Sequence, residues 1–228
     1  MKKQLLAGAI LAALGSGAAH AAFLSYQFSN PLQGTEISQS GNLNLFDTMG
    51  GTRTLNSAVL TLTGQDEMTI VLRNSAQQPQ DVIATGNVFL NYTSSLAPLN
   101  GIIVSGNPRI SLTNPTGLQT LAAGGTFNSG LLTANGSAVL DALTLNPILA
   151  SLSTDGAGQQ FSVSCSSLSG VTLLGGGGQV SFDQTTQAAC GARIVYDYET
   201  RNQTPEPASM ALVGLGLLGL GAARRRKA

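Results

Sequence analysis

Between Ala58 and Arg73 apolar and polar side chains alternate with a period of two, and no other feature limits the fold of this chain as much. Ala58, Leu60 and Leu62 fall on one face against Val59, Thr61 and Thr63. Met68, Ile70 and Leu72 repeat the pattern against Thr69, Val71 and Arg73. Successive side chains of an extended backbone point to opposite sides, so this spacing makes strands with one buried face. Gly64-Gln65-Asp66, between the two runs, reads as a hairpin turn. The alternation returns at Val88, Leu90 and Tyr92, and at Ile110 and Leu112. It recurs at Phe161, Val163 and Cys165 against Ser162 and Ser164, then at Val180 and Phe182. It closes with Ile194, Tyr196 and Tyr198 against Val195 and Asp197.

Turn-forming pairs punctuate these runs: Asn100-Gly101, Asn107-Pro108, Asn114-Pro115, Asn135-Gly136 and Asp155-Gly156. Many short strands at such spacing predict an all-β fold, an antiparallel β-sandwich or jelly-roll-like domain. The one helical candidate is Ser137 to Leu143, stopped by Asn146-Pro147.

Both ends differ from this body. Met1-Lys2-Lys3 is a positive start, Leu5 to Leu14 is apolar, and Ala19-His20-Ala21 is a small-residue cleavage pattern. Together they form a secretory signal peptide over residues 1–21, with Ala22 as the first mature residue. Residues 208–223 carry no charge and are followed by Arg224, Arg225, Arg226 and Lys227. As a helix those residues span about 24 Å, a short transmembrane segment whose basic end stays cytoplasmic and whose body lies outside. The domain layout expected is therefore signal peptide, ectodomain over 22–203, and a sorting tail over 204–228.

With the ends set aside, the body is acidic. Six of the eleven basic residues and one of the eleven acidic ones lie in the ends, leaving five arginines against ten carboxylates. It has no lysine, and the only histidine, His20, departs with the signal peptide. Scattered arginines on an acidic body do not neutralise a phosphate backbone, so nucleic acid is not an expected partner. Without histidine there is no Ser-His-Asp or Cys-His nucleophile and no imidazole metal site, and without lysine no Schiff base. No cofactor, metal or catalytic residue is expected. Cys165 and Cys190 are the only cysteines, and in an exported chain such a pair forms a disulfide.

Pro205-Glu206-Pro207, the apolar Gly/Leu-rich run and the terminal arginine cluster, in that order, resemble the PEP-CTERM sorting signal. The resemblance implies recognition by exosortase, a membrane-embedded cysteine transpeptidase, with cleavage near Pro205-Glu206-Pro207. It implies a Gram-negative source and a place at the cell surface or in extracellular exopolysaccharide, biofilm or floc. Processing partners would be signal peptidase and exosortase, with the membrane engaged before the second cut and exopolysaccharide afterwards. Leu45-Phe46-Asp47-Thr48-Met49-Gly50-Gly51, leading through Thr54-Leu55 into Ser57 to Leu62, also resembles the opening of choice-of-anchor surface domains of the E type. Thr48 replaces their proline, and Gly51 is an additional residue.

Local acidic motifs are weak. Asp66-Glu67 reads as a solvated hairpin tip or a Ca²⁺ or glycan contact. Asp155-Gly156-Ala157-Gly158 lacks the further acidic positions of a Ca²⁺ loop. Gly175 to Gly178 precedes a strand and reads as a loop. Asn91-Tyr92-Thr93 and Asn135-Gly136-Ser137 match a glycan-acceptor pattern that a bacterial chain would leave bare. Asp197 and Glu199 share a strand face and could serve a glycosidase. The alternative to a structural or adhesive surface protein is thus a carbohydrate-binding module or carboxylate-dependent glycan hydrolase, with Tyr92, Tyr196 or Tyr198 exposed in an acidic groove. A tail left uncut would make a permanently anchored protein.

Overall fold

In the computed structural model, residues 21–105 and 110–200 are described. The elements in chain order are β1 (Ala21–Ser29), β2 (Gln33–Gly34), β3 (Ser38–Asn44), β4 (Phe46–Asp47), β5 (Arg53–Asn74), β6 (Gln80–Ser94) and α1 (Ala97–Ser105). There follow β7 (Ile110–Leu121), β8 (Thr126–Asn128), β9 (Leu132–Leu140), α2 (Ala142–Leu145), β10 (Ser153–Thr154), β11 (Gln160–Gly175) and β12 (Val180–Thr200). One sheet runs β1-β12-β5, with β8 and β9 paired along the far edge of β5 and β2 against β12. The other runs β3-β11-β6-β7. These pairings are antiparallel, and the two sheets form a sandwich around one apolar core. A short parallel pair, β4 with β10, closes one end.

The expected hairpin at Gly64-Gln65-Asp66 does not exist: β5 is one strand of 22 residues. The inward parity explains why, since Ala58, Leu60, Leu62, Gly64, Asp66, Met68, Ile70 and Leu72 share one face without a phase break. Gly64 leaves the space that Leu90 of the facing sheet fills, since a Cβ there would collide with the Leu90 side chain. Asp66 is buried and hydrogen-bonded.

The expected helix from Ser137 is also corrected. Residues 132–140 continue as β9 along β5, and the helix begins only at Ala142, where the Asp141 carboxylate accepts from the Thr144 N–H at 2.9 Å. Asn135-Gly136 is mid-strand, with Gly136 opposite Gly64 and facing Ile110 and Leu112. Asn114-Pro115 lies within β7 at an irregularity in its pairing with β6. Asn100-Gly101 lies inside α1, a helix whose Leu99 and Ile103 enter the core. Asn107-Pro108 lies outside the described residues.

The aromatic core gathers at the β4 end. The ring of Tyr196 lies 5.7 Å from that of Phe46, and its hydroxyl donates to the Asn44 carbonyl at 2.9 Å. At Gly41 of the edge strand β3, an added Cβ would sit 2.2 Å from the Phe28 ring. Gly41→Ala is therefore expected to destabilise the protein by about 1–3 kcal/mol, because a ring locked in the interface cannot yield as a flexible tip would. Urea unfolding checks this, and an unchanged midpoint would show that Phe28 relocates freely.

Candidate functional site

Four strands of the larger sheet meet on its outer face. In register, Ser137 (β9), Thr63 (β5), Gly191 (β12) and Ser29 (β1) form one cross-strand row, and Asn135, Gln65 and Ala189 form the next. β12 contributes only a hydrogen and a methyl to these rows, so the sheet surface dips between taller neighbours. The result is an open groove of about 400 Å³. Its polar side chains are Ser29, Thr63, Gln65, Asn135 and Ser137, all exposed and none charged. A second hollow of about 460 Å³ shares Ser29 and Thr63 and reaches Gln27 and Arg193.

Behind this groove three features fix the sheets. Cys165 of β11 and Cys190 of β12 form a disulfide, the expected pairing, and it joins one sheet to the other. Next to it the buried Gln39 side chain accepts from the Cys190 N–H at 3.1 Å and donates to the Pro31 carbonyl at 2.8 Å. Asp66, 2% exposed, accepts from Asn114 Nδ2 at 2.9 and 3.0 Å and from the Ala134 N–H at 2.9 Å. It therefore ties β5 to β7 of the opposite sheet and to β9. Burial raises its carboxyl above the ordinary carboxylate value, while the bonds from Asn114 and Ala134 oppose that rise. The solvated-tip and Ca²⁺ readings of Asp66 are both overturned.

A third hollow, about 610 Å³, lies beside the β4–β10 pair, between the Thr48–Leu55 stretch and Leu149, Ser153 and Asp155. Its carboxylates are engaged by the backbone. Asp155 accepts from the Gly50 N–H at 2.6 Å and from the Thr48 hydroxyl at 3.2 Å, and Asp47 accepts from the Met49 N–H at 2.8 Å. Thus the Asp155-Gly156 turn closes the loop after Phe46-Asp47. The Arg53 guanidinium lies 5.2 Å from the centre of the Tyr198 ring.

The tyrosines do not form the exposed acidic groove that the carbohydrate alternative called for. Tyr92 and Tyr196 are buried, with burial pushing both phenols above their ordinary value, and Tyr198 is only partly exposed beneath Arg53. Among the described residues, no three of His, Cys, Asp and Glu gather as a metal-binding group, and no helix is long and apolar enough to cross a membrane. Ala21 and Ala22 open β1. Ala19, Pro205, Glu206, Pro207, the apolar run 208–223 and Arg224 to Lys227 lie outside the described residues. Sequence reasoning missed the groove residues. Asn135 and Ser137 carried a signal, the acceptor pattern, but Asn135-Gly136 was read as a turn; Gln65 was assigned to the absent hairpin.

The fold defines an all-β, disulfide-linked sandwich. Residues 203–227 match the PEP-CTERM protein-sorting motif. That motif indicates an exosortase-sorted exported protein and implies cell-surface sorting in a Gram-negative bacterium. No curated protein matches the sequence. Among solved structures, similarity extends to infectious bursal virus derived T=1 particles, at 12% identity over 85% of this chain and 42% of that one, with a TM-score of 0.19. A sacbrood virus of honeybee structure matches at 12% identity over 81% and 72% of the two chains, with a TM-score of 0.18. The chain thus spans about two fifths of the first of these, and at such TM-scores the likeness carries no argument.

Proposed function

We propose that this protein is a non-enzymatic structural or adhesive component of an extracellular exopolysaccharide matrix. It is exported behind a signal peptide of residues 1–21. Membrane residues 208–223 and the basic stop at Arg224 to Lys227 then hold it until exosortase cuts near Pro205-Glu206-Pro207. The mature body is the sandwich over 22–203, of the choice-of-anchor kind. The observation that carries this reading is the sorting motif matched at residues 203–227, immediately after the last strand. The strand pairing is compatible with it: Ala21 lies opposite Glu199, next to Thr200, the last residue of β12. A cut after Ala21 removes a single residue from β1.

Intact mass of the protein recovered from its native host tests the scheme. Expected is a species of roughly residues 22–205, two hydrogens lighter before reduction than after. A mass retaining residues 210–228 would overturn the exosortase step and leave a protein anchored by its tail.

A further inference from the structure

The geometry points to the Ser29–Thr63–Gln65–Asn135–Ser137 groove as a binding site for an uncharged glycan chain. The inference rests on the matrix reading only for where such a ligand is met; the site itself is argued from the groove.

The groove is a concavity rather than a flat sheet face, because Gly191 and Ala189 stand where neighbouring strands carry longer side chains. Gly191 has no room to grow, since a Cβ there would lie 2.7 Å from the Phe28 carbonyl oxygen and 2.9 Å from Thr63 Oγ1. Its volume of about 400 Å³ falls in the range of small-ligand sites, about 300–1,000 Å³. Three hydroxyls and two carboxamides line it, and each is both donor and acceptor. That complement matches a ligand whose own groups are hydroxyls. Its own lining holds no cation for a phosphate or carboxylate, Arg193 standing in the adjoining hollow, and no broad apolar floor for a lipid. The body's surplus of carboxylates over arginines further disfavours a polyanion. Asn and Ser are poor strand formers, so Asn135 and Ser137 in mid-strand are locally unfavourable choices, the kind that marks a functional position. The buried side of the groove is rigid: the disulfide at Cys190, and Asp66 bonded to the Ala134 N–H, hold β12, β5 and β9 in register.

The test uses the mature, disulfide-bonded protein from the native host. Two probes are titrated and followed by isothermal calorimetry and NMR shifts: a neutral β-glucan hexasaccharide and an oligogalacturonate of equal length. The double variant Gln65→Ala/Asn135→Ala removes exposed groove contacts without touching the core. Asn91→Ala, on the outer face of the other sheet, is the control. Expected is millimolar-range binding of the neutral probe, weakened about tenfold by the double variant, since the hydrogen bonds of two side chains are lost. The control should shift affinity less than twofold. Three outcomes would overturn the assignment: no binding of the neutral glycan, equal losses in both variants, or preference for the acidic probe abolished by Arg193→Gln. None of these bears on sorting, which the mass measurement tests separately.

Discussion

Replacing Asp66 with alanine should cost about 2–6 kcal/mol of stability. The carboxylate is 2% exposed and takes two bonds from Asn114 Nδ2 and one from the Ala134 N–H. Truncation leaves a buried carboxamide and a backbone N–H without an acceptor, at about 1–3 kcal/mol each. Asp66→Asn keeps one acceptor oxygen and should lose less than half as much. The two variants also differ from the parent in pH dependence. Burial raises the Asp66 carboxyl above its ordinary 3.8, so the folded state holds that proton more tightly than the unfolded chain does. Its contribution is fully present below the unfolded value and is lost as pH rises through the folded one, then stays level. Urea midpoints of parent and Asp66→Asn should therefore converge across that window as pH rises. Parallel curves would show that Asp66 titrates as an ordinary carboxylate.

The second large effect belongs to the disulfide. Cys165 and Cys190 are 25 residues apart, and a loop of that size restrains the unfolded chain by roughly 3 kcal/mol. For a domain of this length that corresponds to about 6–12 °C in Tm. Cys165→Ser/Cys190→Ser should lower Tm by that amount and raise the urea m-value, because the uncrosslinked chain exposes more surface on unfolding. An unchanged Tm would mean that Gln39 and the core alone hold the two sheets together.

How much of this was legible in the sequence depended on whether a residue's reason lay in its own strand. The face shared by Phe161, Val163 and Cys165 was readable from local alternation, and pairing Cys165 with Cys190 followed from their being the only two cysteines in an exported chain. Gly64 and Asp66 were misread because their justification is remote. Leu90 fills the space over one, and Asn114 and Ala134 satisfy the other. Seen locally, a glycine followed by two polar residues is a turn; seen with its partners, it is a notch and a buried bond inside one long strand. Asn135-Gly136 failed in the same way, since Gly136 makes room for Ile110 and Leu112. The groove was illegible for a related reason: its five polar side chains come from three strands, β1, β5 and β9, far apart in the chain, over a floor that β12 supplies.

The position of β12 has a mechanical consequence. This strand lies between β1 and β5, pairs with β5 from Val180 to Thr200, and runs directly into the sorting tail. A tension entering at Thr200 pulls along the strand axis and loads both flanking ladders in shear, many hydrogen bonds at once, rather than peeling them one by one from an edge. The groove at Ala189 and Gly191 lies on that same strand, about 30 Å from the point of attachment. Load passing between a ligand held by side chains of β1, β5 and β9 and a C-terminal tether would enter β12 through those same sheared ladders and leave along one continuous β-strand.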